Sequence, residues 1–319
     1  MCEQEVTKVY YPSDIDHSMQ PAVIHVAHGT EKRPLAVCLH TWSCGIDSTY
    51  LDYAEECSRR NWHMIFPYFR GPNWTPEACG SDLVVSDLVS AVAYMKKHHP
   101  VDESKIYLVG GSGGGHASLL MAGRKPELFT AVSSWCPISD IAAWYREVNA
   151  KKTPGVRSYD DHIVESCGGN PLTCPEAAQQ AKHRSPLTWL PNAKGSVILD
   201  IGTGIHDGHT GSVPVSHAIN AFNAVAAPED RIGEADIAYM VETEQIPEHL
   251  RFQGEDPAYG KYKVLLRKTS GKVRLTLFEG GHNLLAGTAF GFLERQERGN
   301  DPIWCSGEEE DGRAYELTK

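Results

Sequence analysis

Ser112, Asp207 and His282 are residues whose types and settings could carry out acyl transfer. Ser112 lies in Gly110-Gly111-Ser112-Gly113-Gly114. A serine hydroxyl is a poor nucleophile until a base takes its proton. Gly280-Gly281-His282 offers that base from the loop after the last predicted strand. A third group must orient the imidazole and stabilise its positive form. Asp207, in the loop Gly204-Ile205-His206-Asp207-Gly208-His209, is the first candidate. Asp200 is the rival, but it sits inside a predicted strand, where its side chain would point to a sheet face. The tetrahedral oxyanion needs two fixed N–H donors. Gly113 supplies one, and His40-Thr41-Trp42-Ser43 the other, through Trp42 or, one residue earlier, Thr41.

These assignments depend on elements that deliver the residues to one place. Val6 to Tyr11 and Ala22 to Ala27 read as short strands, and Pro34 to His40 as a strand covered on both faces. A helix near Ser48 to Arg60 precedes a second buried strand, Trp62 to Tyr68. Leu83, Val84, Leu88, Ala91, Val92 and Met95 have helical spacing. Ile106 to Val109 is the strand that runs into the glycines, and a helix begins near His116. That strand–turn–helix setting is what a sharp nucleophile turn requires, and the run lacks the Gly-Lys-Ser/Thr ending of a phosphate loop. Strands at Phe129 to Val132, Ser196 to Ile201 and Val273 to Phe278 complete the series. Strands separated by helices pair in parallel through crossovers. The fold class is therefore α/β: a doubly wound, mostly parallel sheet of about eight strands with helices on both faces. Two insertions, 140–190 and 224–270, are placed as lid or pocket wall. The chain reads as one domain over 1–319, with a surface tail from about 297 to 319 that includes Glu308 to Asp311.

Composition narrows the partners. The 319 residues are 41% hydrophobic and 22% charged, with a formal net charge of -11. Without a Lys/Arg stripe, nucleic acid is not an expected partner. No apolar run is long enough to span a bilayer, and Met1 is not followed by a secretion signal. That start suits a cytoplasmic protein, and equally a periplasmic or secreted one whose signal has been removed. Nine cysteines form no Cys-x-x-Cys pair, so no zinc site is expected. Cys38 and Cys136 sit in apolar runs and read as core. Cys167 and Cys174 could be bridged or free. His206 and His209 flank Asp207, but without a further cluster they read as polar pocket lining. No metal or cofactor is expected, and the oligomeric state is left open.

With these residues in view, the chain resembles the α/β-hydrolase superfamily, and within it prolyl-oligopeptidase-like and acetyl-xylan-esterase-like serine hydrolases. The likeness covers about residues 30–295. It rests on Leu39 to Trp42, Phe69-Arg70-Gly71-Pro72-Asn73, Ser86-Asp87-Leu88, Ala91 to Tyr94, Gly110 to His116, Ser185-Pro186-Leu187, Gly204 to Asp207 with Val213-Pro214, and Gly280 to His282. The chain departs from that pattern at the oxyanion loop, where His-Gly-Gly is common. It departs again at Gly113, where many relatives carry a larger residue, and in a longer acid loop. The resemblance implies an α/β-hydrolase fold and a Ser112–Asp207–His282 triad.

The leading expectation is a carboxylic-ester hydrolase acting on a small-molecule or carbohydrate ester. Trp42, Trp74, Trp144, Tyr145 and His206 are candidate substrate contacts, because flat aromatics suit sugar faces. Tyr159, Tyr239, Phe252 and Tyr259 lie in the same insertions. The second expectation is a small aminopeptidase or dipeptide hydrolase, with Glu242, Glu244, Glu255 or Asp256 holding a free amine. The third is a hydrolase-fold binding protein without catalysis.

Overall fold

A computed structural model describes residues 6–48, 50–304 and 315–316. The strands are Val6–Pro12 (β1), Met19–His25 (β2), Arg33–Leu39 (β3), His63–Pro67 (β4), Val101–Gly111 (β5), Ala131–Trp135 (β6), Ile198–Gly204 (β7), Val264–Ser270 (β8), Val273–Phe278 (β9), Asn283–Leu284 (β10) and Tyr315–Glu316 (β11). The α-helices are Tyr50–Arg60 (α1), Asp82–His98 (α2), Gly113–Arg124 (α3), Ile141–Ala150 (α4), Tyr159–Cys167 (α5), Pro175–Arg184 (α6), Ser216–Val225 (α7), Glu234–Thr243 (α8) and Ala286–Glu294 (α9).

Nine strands form the main sheet in the order β1-β2-β4-β3-β5-β6-β7-β9-β8. The run from β4 to β9 is parallel, and β1, β2 and β8 pair antiparallel at its edges. The alternation in β3 shows why the central strands are apolar throughout. Leu35, Val37 and Leu39 join the core shared with α2, α3 and α7, whereas Ala36 and Cys38 join the core shared with α1 and α9.

The strand beyond the expected eight is β8, which falls in the segment assigned to the second insertion. It is an edge strand with mixed burial, so it lacks a continuous apolar run. Its turn was nonetheless readable: Gly271-Lys272 joins β8 to β9, with Gly271 at φ +54°. The first insertion folds into α4, α5 and α6 and shares an apolar cluster with Trp42. The start of the tail is anchored rather than free. Trp304 stacks on Phe292 with ring centroids 5.7 Å apart, and its carbonyl accepts from Arg274 at 2.7 Å. Glu308 to Asp311 lie outside the described residues. Cys167 and Cys174 are free thiols, and Cys38 and Cys136 are buried. No helix among the described residues is long and apolar enough to cross a membrane.

Candidate active site

The site lies at the carboxyl ends of four neighbouring or near-neighbouring strands, where loops emerge from a parallel sheet. β5 ends at Gly111, and Ser112 takes φ 57° and ψ -119° before α3 begins. This backbone is unusual for a residue with a side chain and marks a strained turn. It is pinned by the Ser112 N–H donating to Trp135 O at 2.9 Å and by His116 N–H donating to Ser112 O at 2.8 Å. A Cβ on Gly110 would lie 2.5 Å from Gly114 O, so the turn can close only without one.

β7 delivers Asp207 three residues past its end, and β9 delivers His282 four residues past its own. Asp207 Oδ2 accepts from His282 Nδ1 at 2.6 Å. The other carboxylate oxygen accepts from the N–H groups of Gly208 (2.9 Å) and Val213 (3.2 Å). Asp207 is thus fixed before it meets the imidazole, which lines the same pocket as Ser112. Burial opposes the charged imidazole. The Cys136 sulfur and the Asp207 carboxylate outweigh it and hold the His282 pKa above the ordinary imidazole range. Burial pushes the Cys136 thiol up, and it donates to Asn283 O at 3.3 Å.

Asp200, the rival acid, is paired elsewhere. It sits opposite Arg274 in the β7–β9 ladder and accepts from Arg274 Nε at 2.7 Å, with both side chains buried. Its strand position aims it at a sheet face.

The strand β3 delivers Thr41 and Trp42. A Cβ on Gly113 would lie 2.4 Å from both the N and the Cα of Trp42, so the two backbones touch. That contact places both predicted oxyanion donors side by side at the N-terminus of α3, where N–H groups lack helical acceptors and the helix dipole favours negative charge. Two residues hold the loop. The Asn73 N–H and Nδ2 both donate to Trp42 O, at 2.9 and 3.2 Å. His40 stacks on Phe69 at 3.9 Å and bonds Tyr68 O through Nε2 at 2.9 Å. These contacts explain the Phe69-to-Asn73 segment, whose role the sequence left open.

Ser112, His282, Thr41 and Trp42 line a pocket of about 90 Å³. Ser43, Cys44 and Tyr159 form one part of its wall, and Thr210, Gly211 and Ser212 another. Of the five candidate substrate contacts, Trp42 alone reaches it. Trp144 is buried behind Trp42, 4.7 Å away ring to ring, and donates its indole N–H to Ser212 O at 2.8 Å. Tyr145 is buried in the same cluster. Trp74 packs on His162 and beneath Arg157. His206 bonds Glu244 through Nδ1 at 2.7 Å and Glu279 through Nε2 at 2.5 Å, which raises its pKa. His209 donates to Val241 O at 2.7 Å. Neither histidine joins a metal-type cluster. Among the described residues, the one group with metal-ligand spacing is Cys136, Asp207 and His282, with atoms within 4.8 Å, and the last two are bonded to each other.

A mostly parallel sheet wound on both faces, with a strained serine between a strand and a helix and an Asp–His pair from later strand ends, defines the α/β-hydrolase fold. Residues 80–165 match the prolyl oligopeptidase family. The fold is similar to the acylaminoacyl peptidase of Pyrococcus horikoshii, with a TM-score of 0.58 and 16% identity over 87% of this chain and 37% of that one. It is also similar to oligopeptidase B from Leishmania major, with a TM-score of 0.57 and 14% identity over 91% of this chain and 35% of that one. The chain thus spans little more than a third of the length of either. Comparison with curated proteins finds no match.

Proposed function

We propose that the chain is a serine hydrolase that cleaves carboxylic esters through an acyl-enzyme on Ser112. The observation that carries this reading is the 2.6 Å Asp207–His282 hydrogen bond beside a pocket that also exposes Ser112. In the cycle, Ser112 Oγ attacks the ester carbonyl and its proton passes to His282 Nε2. The oxyanion is met by the Trp42 and Gly113 N–H groups. The C–O bond to the alcohol then breaks as His282 returns the proton to the leaving oxygen. Water, deprotonated by His282, releases the acid and restores Ser112.

A carbohydrate ester is not favoured. Trp144 and Tyr145 are packed away, and Trp74 is engaged by His162 and Arg157. A second reading, amide cleavage in a peptide-like substrate, is favoured by the family match over residues 80–165. A free-amine aminopeptidase is not favoured. Glu244 holds His206, Asp256 pairs with Arg267, and Glu242 and Glu255 are exposed away from the pocket.

Stoichiometric labelling of Ser112 by a fluorophosphonate, with turnover of p-nitrophenyl acetate, tests the reading. Ser112→Ala should lose both, with kcat down about 10⁴-fold or more. Near-wild-type turnover by that variant would refute it. Aminoacyl and N-acetyl-aminoacyl naphthylamides assayed beside the ester separate the two readings.

A further inference from the structure

Resting on that reading, we infer that the site selects short, uncharged acyl groups of about two to four carbons, and that Tyr159 sets the limit. Three observations lead there. The pocket over Ser112 measures about 90 Å³. That is far below the ~300 Å³ at which pockets for larger ligands begin. Among the described residues that line it, none is Asp, Glu, Lys or Arg, so an acyl group bearing an amine would be desolvated without a partner, and one bearing a carboxylate would hold His282 in its protonated, inactive form.

The wall is also fixed in place. Tyr159 lies 5.1 Å from Trp144, ring to ring, and Trp144 packs against Trp42 at 4.7 Å. The start of α5 that carries Tyr159 is held by a capping box between Ser158 and Asp161, and Lys152 binds Asp160 and Asp161. Trp42 cannot swing outward freely, because its carbonyl is held by Asn73 and its backbone lies against Gly113. A longer acyl chain therefore meets a braced ring on one side and the oxyanion loop on the other. The first methylene that meets such a wall changes discrimination by about 10-fold or more, and those beyond it can turn out toward solvent.

The test is the chain-length profile of kcat/KM for p-nitrophenyl acetate, butyrate, hexanoate and octanoate, with a parallel series of acetates that vary the alcohol. The wild-type protein should favour acetate or butyrate over octanoate by at least about 10-fold, with a weaker dependence on alcohol size. Tyr159→Ala should raise octanoate relative to acetate by about 10-fold, mainly through KM, and Tyr159→Phe should keep the wild-type profile. A wild-type profile that is flat or rises to octanoate would overturn the inference, as would an unchanged profile in folded Tyr159→Ala. Fluorophosphonate labelling of Ser112 in the same preparations keeps the outcomes apart. Labelling with a flat profile removes the size limit only, whereas no labelling removes the serine-hydrolase reading itself.

Discussion

Gly113→Ala adds a single methyl group, one carbon and two hydrogens more than glycine, at the tightest point of the site. The new Cβ would stand 2.4 Å from Trp42 N and Cα and 2.9 Å from the Thr41 carbonyl carbon. Ordinary contact begins near 3.4 Å, so one backbone must retreat by about 1 Å. α3 cannot move easily, because Ser112 is tied to Trp135 and His116 on either side of the turn. The Trp42 loop must yield, against its bonds to Asn73 and the stacked His40. Forcing that shift in a packed region costs about 1–3 kcal/mol of stability. Drawing one donor off the oxyanion costs about 10²–10³ in kcat. The assay is kcat for p-nitrophenyl acetate, with thermal unfolding alongside. Gly233→Ala is the control, since a Cβ there meets nothing nearer than 4.0 Å. The double effect should appear in Gly113→Ala and neither part in Gly233→Ala. A Gly113→Ala protein with kcat within threefold of wild type and unchanged stability would refute the placement of Trp42 N–H at the oxyanion.

The raised His282 pKa predicts kcat/KM rising with pH, with a midpoint above the usual imidazole value of about 6.5, because the base works only when neutral. Asp207→Asn should lower that midpoint and reduce kcat by about 10⁴-fold, and an unmoved profile would count against the Asp207 role. Asp200→Asn should do the reverse. It should leave the pH profile intact while costing about 3–5 kcal/mol in urea unfolding, because it leaves Arg274 buried without its counter-charge. His206, whose pKa is raised by Glu279 and Glu244, stabilises the fold below the unfolded value of about 6.5, and that contribution is lost as pH rises through its folded pKa. The Tm gap between wild type and His206→Gln should therefore be larger at pH 6 than at pH 9; equal gaps would refute the clamp.

The line between what could be read and what could not follows the physics of each element. That Ser112, Asp207 and His282 meet at one edge of the sheet was legible because each follows an apolar strand whose carboxyl end fixes where the next residues emerge. Asp200 and Asp207 were separable for the same reason: period-two geometry sends a mid-strand side chain to a face, and Arg274 waits on that face in the next strand. That Trp74, Trp144 and Tyr145 do not line the pocket that Trp42 reaches was not legible, because residue type carries no direction. Trp42 and Trp144 are equally apolar and in contact, yet one lines the pocket and the other packs behind it. Thr210, Gly211 and Ser212 had no signal at all, since a loop without periodicity reveals neither its path nor its neighbours.

Gly113 serves both the oxyanion loop and the pocket. As a motif residue it is a small departure from the resembled family, where many members carry a larger side chain at that point. In the structure its missing Cβ is what lets Trp42 come against the start of α3. That approach brings two N–H donors together beside the pocket over Ser112, which Trp42 helps to line. Tyr159 faces the same pocket from an inserted helix, braced through Trp144. A chain with a larger residue at 113 would have to seat its oxyanion loop further out, and the pocket would widen with it. On the proposed reading, catalytic geometry and acyl size are coupled through one backbone contact. Enlarging the pocket without losing rate should succeed at Tyr159 and fail at Gly113.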